Sequence, residues 1–260
     1  MTPLDLALRG RLRTQRLGRP HRHLPSVGST QTVAAEWADS GASTGAMVTA
    51  DTQTSGRGRL GREWGDEPGR DLALSLVLRP SLPAEKLGLV GLAAALGVAE
   101  ALDKRTPGVS LKWPNDVLVG GKKAAGVLAE TRWAACGSGF RPTVLLGIGV
   151  NVNREAFPAV LTHRATSLAL ETGAPHDRAA VLADLLLALE GALSLSDDAL
   201  VREAEARLTV LGSRVEVGFP GTERAPLAGT VLGIGANGAL RLATATGEVA
   251  VHAGETTVLA

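Results

Sequence analysis

The apolar run LALSLVL, residues Leu72–Leu78, limits most strongly what this chain can fold into. A short apolar run that ends close to a proline is typical of a strand buried in a sheet. A second β-like run covers residues 46–50, and residues 83–104 carry apolar side chains at helical spacing. Ser29 is placed to cap a further short helix that stops at Gly41. This mixture predicts an α/β fold.

The middle of the chain continues the same alternation. Residues 110–119 (SLKWPNDVLV) predict a strand, a turn and a second strand, and residues 126–133 and 143–150 predict two more strands. Residues 177–206 return to helical spacing. The mixed α/β pattern therefore extends to about residue 208.

From about Val210 the pattern changes to short strands separated by Asn-Gly and Thr-Gly turn signals. About fifty residues of this kind predict a small β-barrel of SH3 size. The predicted organisation is a basic N-terminal segment that is frayed or docked on the surface, 1–27, a large α/β domain, 28–208, and a β-rich domain, 209–260.

Composition and charge exclude several classes of function. Lys plus Arg total 27 and Asp plus Glu total 26, so the net charge of +1 provides no overall field for nucleic acid or for an anionic membrane. Cys136 is the single cysteine, which excludes an intrachain disulfide and a cage of several thiolates and favours a cytoplasmic location. No apolar run approaches the roughly 18 residues that span a bilayer.

The stretch SGRGRLGREW, residues 55–64, holds three arginines and three glycines. Its glycines match the dinucleotide-binding G-x-G-x-x-G spacing, but no helix can open in the following REWGDEPGRD, and the P-loop spacing is absent. The arginines repel one another, and glycine-rich backbone loses much entropy on ordering, so an anion is the best ordering agent. We expect a loop that is mobile when empty and closes over a polyanionic ligand, with Trp64 offering a face for a purine.

Two further stretches narrow the ligand. Residues 112–130 (KWPNDVLVGGKKAAGVLAE) place a Pro-Asn-Asp turn between apolar strands and then deliver two lysines from a Gly-Gly turn. Residues 147–153 (GIGVNVN) end a buried strand with carboxamides, which can read the edge of adenine. Each lysine alone is typical of a solvated turn, but the combination with the arginine loop favours a binding site.

These motifs, in this order and spacing, resemble those of the biotin protein ligases from about Gly28 to the C-terminus. The resemblance implies an α+β catalytic domain related to class II aminoacyl-tRNA synthetases, with a mixed sheet flanked by helices, and an SH3-like C-terminal domain. It implies that biotin and MgATP form biotinyl-5′-AMP and pyrophosphate. A lysine on the biotin carboxyl carrier protein of a carboxylase, such as acetyl-CoA carboxylase, then accepts the biotinyl group.

The resemblance also implies roles for individual residues. Ser29, Thr30 and Gln53 would hydrogen-bond the ureido group of biotin. The residues of the loop that would contact biotin and the α-phosphate are Gly56, Arg57, Gly58, Arg59 and Arg62, with Trp64 packing on the adenine side.

The remaining implied roles lie on the two later motifs. Lys123 occupies the position of the family's catalytic lysine, where it would neutralise the biotin carboxylate and then the α-phosphoryl group. Asp116 would either orient Lys123 or help to hold Mg²⁺. Asn115 and Asn151 match positions associated with adenine, and Gly126 matches a small residue close to biotin.

Two other functions stay open at this point. A lipoate or octanoate ligase shares the fold and the target lysine, and a biotin- or nucleotide-sensing module would bind without turnover. Some biotin protein ligases carry an N-terminal DNA-binding domain, but fewer than thirty residues precede Gly28. We therefore expect no specific DNA binding and no membrane partner.

Overall fold

The computed structural model describes residues 3–136 and 139–259. Residues 1, 2 and 260, which belong to the predicted N-terminal and C-terminal segments, lie outside the described residues. The helices are α1 Pro3–Arg9, α2 Thr30–Asp39, α3 Gly88–Asp103, α4 Leu168–Thr172, α5 Arg178–Ala192 and α6 Asp197–Glu205. The strands are β1 His21–Leu24, β2 Met47–Ala50, β3 Leu72–Leu78, β4 Val109–Lys112, β5 Asp116–Val119, β6 Lys122–Cys136, β7 Gly139–Val150, β8 Arg214–Gly218, β9 Leu227–Ile234, β10 Leu240–Thr244, β11 Gly247–Val251 and β12 Glu255–Val258.

Seven strands form a mixed sheet in the order β1-β2-β3-β7-β6-β5-β4. The pair β1–β2 is parallel, and the other neighbouring pairs are antiparallel. The predicted mixed α/β architecture is therefore confirmed. The loops that follow β2, β4 and β7 lie near one another, because Arg59 donates to Asn115 and the N–H of Asn153 donates to the carbonyl of Arg70.

Strand β3 is buried along its whole length because helices cover both faces of the sheet. Leu72, Leu74 and Leu76 belong to the main core with α3 and α5, while Val77 packs in a smaller core with Ala34 of α2. Burial on both faces explains why this strand has a continuous apolar run rather than alternation. The main core continues into the C-terminal sheet.

Helix boundaries follow local signals. The predicted cap of α2 is confirmed, because the Ser29 side chain accepts a hydrogen bond from the N–H of Gln31. The helix predicted over residues 83–104 begins later, at Gly88, since a short 3₁₀ turn at Ala84–Lys86 precedes it. The helical pattern over 177–206 divides into α5 and α6, and Ser196 caps the second helix. Among the described residues, no helix is long and apolar enough to cross a membrane.

The N-terminal segment differs from the expectation of a frayed or surface-docked arm. Its strand β1 pairs with β2 in the main sheet, and Leu8 and Leu17 are buried in the main core. Arginines dominate the composition of this segment, so its few buried apolar side chains were not recognised as core residues. Residues 3–27 are therefore structurally part of the large α/β unit.

The C-terminal region forms a five-stranded antiparallel sheet in the order β11-β10-β9-β8-β12. Its last strand, β12, carries no turn signal or apolar alternation that predicts it. The Trp113 indole N–H donates to the carbonyl of Gly238 at 3.1 Å, which joins this sheet to the turn between β4 and β5. Leu111 also forms an isolated parallel bridge with Leu208, shortly after the end of α6.

Helices α3 and α5 cross at a close contact. A Cβ built on Gly97 would lie 2.6 Å from the Cα of Leu189, so the helices approach at this level only because Gly97 has no side chain. A Cβ on Gly91 in the same helix would lie 3.9 Å from the Cβ of Ala129, an ordinary contact.

We predict that Gly97→Ala lowers the free energy of unfolding by about 1–3 kcal/mol, because overpacking displaces the helices. Gly91→Ala is the matched control and is expected to be neutral or to stabilise by up to about 1 kcal/mol through helix propensity. Urea unfolding followed by circular dichroism measures both. Equal stability of the two variants would contradict the close crossing.

Candidate active site

The centre of the site is a pair of glycines on neighbouring strands. Gly126 of β6 lies opposite Gly149 of β7. A Cβ on Gly149 would collide with the Trp64 indole, and one on Gly126 would lie 3.0 Å from the Trp64 ring. Trp64 thus packs directly on the sheet backbone, over what we call the glycine platform, Gly126 and Gly149.

Lys123 lies beside the glycine platform. Its Nζ is 2.6 Å from Asp116 Oδ1 and 5.5 Å from the centroid of the Trp64 ring, within the range of a cation–π interaction. Asp116 Oδ1 has no aligned hydrogen bond, so the contact with Lys123 is an ion pair of poor hydrogen-bond geometry. The backbone of Lys123 is fixed by bonds to residues 164 and 166, whereas Lys122 is exposed.

A chain of polar side chains lies below the N-terminus of α2. The Thr30 N–H donates to Gln53 Oε1 at 2.9 Å, and the Thr30 hydroxyl lies 2.9 Å from that of Ser75. Ser75 donates to Gln31 Oε1 at 2.8 Å. These residues are buried apart from Gln53, and all can hydrogen-bond a small polar group. Ser75 and Gln31 were not predicted; Ser75 is the one polar residue of β3, a signal that could have identified it.

The arginine loop is closed on itself. The Trp64 N–H donates to the carbonyl of Gly56 at 2.9 Å, and the Gly58 N–H donates to the carbonyl of Arg62 at 2.7 Å. A Cβ on Gly56 would collide with the Trp64 carbonyl and lie 2.9 Å from Gln53 Nε2. Glycine at this position therefore allows the loop to reach the polar chain.

The three loop arginines have acceptors that are distant in sequence. Arg57 lies 3.4 Å from Glu130, and Arg62 lies 2.7 Å from Glu255. Arg59 donates to Asn115 Oδ1 at 3.1 Å and to the carbonyl of Gly254 at 3.4 Å. The expected repulsion without nearby partners is therefore wrong for this conformation, because acceptors come from β6 and from the C-terminal region. Burial lowers the pKa of Arg59.

The two asparagines make backbone contacts. Asn115 Nδ2 donates to the carbonyl of Val127 at 3.0 Å. Asn151 Nδ2 donates to the carbonyls of Thr166 and Lys123 at 2.9 and 3.4 Å, and Asn151 is only 4% exposed. Asn151 thus contacts the backbone of Lys123 and Thr166, while Asn115 contacts Arg59 of the arginine loop.

Two carboxylates, the half-buried Asp66 and the buried Asp71, were not predicted and hold the segment after the loop. Asp66 Oδ2 accepts a hydrogen bond from the N–H of Gln53 at 2.9 Å. Asp71 is 2% exposed and pairs with Arg154. Burial raises the pKa of both carboxyl groups, and for Asp71 it outweighs the pairing with Arg154.

The structure brings most of the predicted residues to one place. Trp64 is the common neighbour of Gly56, Lys123 and the glycine platform, and Lys123 connects this group to Asp116. Arg62 instead lies outward, toward Glu255. The Ser29 hydroxyl caps α2 and has no described contact with Gln53.

Comparisons with known proteins agree with this arrangement. The family model of the biotin/lipoate A/B protein ligase family matches residues 24–151. The bifunctional ligase/repressor BirA of Bacillus spizizenii is 39% identical over 183 residues, which are 69% of this chain and 55% of that protein. The biotin–[acetyl-CoA-carboxylase] ligase of Mycobacterium tuberculosis is 38% identical over 189 residues, 68% of this chain and 66% of that protein. The chain thus spans between half and two thirds of the length of these curated relatives.

A solved structure is similar over almost its whole length. The biotin protein ligase from Aquifex aeolicus, in complex with biotin and ATP, is 31% identical with a TM-score of 0.77. The match covers 93% of this chain and 99% of that one. The resemblance inferred from the four motifs is confirmed at this identity and coverage: the chain belongs to the biotin protein ligase family.

Proposed function

We propose that the protein is an ATP-dependent ligase that forms biotinyl-5′-AMP and transfers biotin to a lysine of a biotin carboxyl carrier protein. The observation that carries the proposal is the meeting of Trp64, Lys123 and the arginine loop on the glycine platform, next to the polar chain at Thr30 and Gln53. The Aquifex aeolicus relative, whose structure contains biotin and ATP, supports the same ligand pair.

The polar chain suits the ureido end of biotin. Thr30 and Gln53 supply donors and acceptors, and Ser29 adds a hydroxyl at the start of α2. Biotin is largely apolar, so a few buried hydrogen bonds set its specificity. Gly126 and Gly149 let its chain lie close to the backbone, beside the Trp64 indole.

Lys123 acts on the reacting atoms. The biotin carboxylate attacks the α-phosphorus of ATP, and pyrophosphate leaves with the bonding electron pair. The Lys123 ammonium offsets the negative charge of the carboxylate and of the α-phosphoryl group as they approach. Asp116 lies 2.6 Å from Nζ, so we assign it the orienting role of the two open alternatives.

The loop arginines supply further charge around the α-phosphate. Arg57 contacts Glu130 of β6 and Arg59 contacts Asn115 of the turn before β5. Each guanidinium can bind phosphate through two parallel hydrogen bonds. The hydrogen bond from Arg59 to Asn115 places Asn115 beside the arginine loop, which favours contacts between Asn115 and the adenylate. Asn151 would contact the nucleotide through its side-chain oxygen. Its Nδ2 would hold the backbone of Lys123 through the Lys123 carbonyl. An ordered loop excludes water from the reactive mixed anhydride.

The residues fit Mg²⁺ only as a partner of the nucleotide. No group of three His, Cys, Asp or Glu side chains that could hold a metal is found in ranges 3–136 and 139–259. Mg²⁺ commonly binds through one or two carboxylates and the phosphates of its substrate. Bound with ATP, it would neutralise the pyrophosphate leaving group. Asp116 is the carboxylate closest to the reacting groups proposed here, and Lys123 already engages it.

We also propose the finer assignments of fold and partner. Five short antiparallel strands support an SH3-like barrel at 209–260, and the mixed sheet with helices on both faces supports a class II synthetase-like domain at 28–208. The Mycobacterium tuberculosis relative is named for acetyl-CoA carboxylase, which supports a carboxylase carrier as the acceptor. The single cysteine favours a cytoplasmic location. Absence of specific DNA binding stays a prediction, since BirA relatives are named ligase/repressor.

The proposal is tested by incubating the protein with ATP and either biotin or octanoate, with a carrier domain present. We expect biotinyl-5′-AMP and a biotinylated carrier lysine, detected by mass spectrometry. Octanoyl transfer would instead indicate a lipoate-type ligase. The family model that matches this chain includes lipoate ligases as well as biotin ligases. Ligand binding without any product would favour the sensing module.

We predict that Lys123→Met lowers the rate of biotinyl-5′-AMP formation by about 10²–10³-fold, the cost of removing one charged stabiliser of the transition state. The matched control is Lys122→Met, which removes a neighbouring exposed lysine and is expected to leave the rate within about twofold. Pyrophosphate release measures both rates. A normal rate for Lys123→Met would contradict its role.

We predict that biotin and ATP together protect the arginine loop from trypsin. Cleavage after Arg57, Arg59 and Arg62 is expected to slow because phosphate replaces the present acceptors with stronger charge-assisted bonds. Mass spectrometry of the fragments locates the cuts, and cleavage at the exposed Arg224 is the internal control. Loop cleavage at the same rate with and without ligands would count against closure.

A further inference from the structure

A buried ion pair lies outside the reacting groups, between the arginine loop and the end of β7. The side chains of Asp71 and Arg154 are 1% and 10% exposed, and Arg154 Nη2 lies 2.9 Å from Asp71 Oδ2. Such a pair is costly to desolvate, so its contacts must be satisfied on every side. The pair is used in neither the binding nor the chemistry described above.

Asp71 and Arg154 join two backbone segments, residues 65–71 and residues 152–154. Asp71 Oδ1 accepts a hydrogen bond from the N–H of Val152 at 3.1 Å, and Oδ2 accepts one from Glu67 at 2.9 Å. Arg154 donates from Nε to Asp71 at 3.0 Å and from Nη2 to the carbonyl of Gly65 at 2.7 Å. The pair therefore connects the residue that follows Trp64 to the residues that follow the glycine platform.

This connection fixes both partners of the Trp64 contact. Gly65 carries the chain away from Trp64, and Val152 follows Gly149 by three residues along the chain. Because Trp64 touches the backbone of Gly149, a small movement of Gly65 away from β7 would lift the indole from the platform. The Arg154 hydrogen bond to Gly65 is the direct link that resists this movement.

We propose that Arg154 is a positioning residue, which holds the closing end of the arginine loop so that the Trp64 indole stays on the glycine platform as a wall of the proposed biotin site; this inference rests on the proposed function. Only a guanidinium can donate at once to the Asp71 carboxylate and to the Gly65 carbonyl from separate nitrogens. A lysine keeps the charge opposite Asp71 but presents a single nitrogen. Charge and positioning are thus separable by one substitution.

The test compares Arg154→Lys with Arg70→Lys. Arg70 is a matched control because it lies in the same junction and donates to the carbonyl of Asn153, but it is 40% exposed and has no described contact with the loop. We expect Arg154→Lys to raise the KM for biotin about tenfold, the effect of losing one hydrogen bond, with kcat within about twofold. Trypsin without ligand is expected to cut after Arg57, Arg59 and Arg62 faster than in the control. Unfolding midpoints should match.

Several outcomes decide the proposal. A KM and a loop cleavage rate equal to those of Arg70→Lys would overturn it, and so would a lower unfolding midpoint with an unchanged KM, which is the signature of a structural role alone. If Arg154→Lys does not fold, the double variant Asp71→Asn, Arg154→Gln removes both buried charges and must show the same rise in KM. If the wild type makes no biotinyl-5′-AMP, the proposed function fails, and the cleavage rates without ligand still decide the positioning role.

Discussion

The antiparallel pairing of β6 with β7 is the interaction on which the site depends. Its register places Gly126 opposite Gly149, and the N–H of Asn151 donates to the carbonyl of Ala124 just beyond the paired residues. A slip of one residue would turn every side chain to the other face of the sheet. Lys123 would then leave the surface on which Trp64 lies. The sheet pairing, rather than the arginine loop, therefore sets the position of Lys123.

The electrostatics of the loop suit a part that opens and closes. The side chains of Arg57 and Arg62 are 46% and 63% exposed, and ion pairs at such exposure contribute at most about 1 kcal/mol each. Arg59 is more deeply buried and has neutral acceptors, the Asn115 amide and a backbone carbonyl. A phosphate offers stronger, bidentate acceptors than either arrangement. The closed loop is thus stable enough to be ordered, and a nucleotide can still replace its contacts.

Sequence patterns correctly predicted the strands and the helix cap that are determined by residues close together in the chain. The β3 run, the Ser29 cap and the strands on either side of the Pro-Asn-Asp turn follow from apolar spacing and turn chemistry within a few residues. The hairpin motif and the family resemblance predicted Lys123 as a site residue, and they left its contact with Asp116 as one of two alternatives. The acceptors of the arginines were missed because Glu130 and Glu255 are far along the chain. The same reason applies to Asp71 and Arg154, which lie on two loops that only the folded sheet brings together.

The link between the arginine loop and β12 has a consequence for the order in which the protein is made. Arg59 and Gly254 are 195 residues apart in sequence, and Arg62 and Glu255 are 193 residues apart. Synthesis proceeds from the N-terminus, and earlier parts of a chain fold first. On the ribosome, the sheet and its lysine can therefore assemble while the loop still lacks two of its anchors. The arginine loop acquires its full set of restraints only when the final strand emerges.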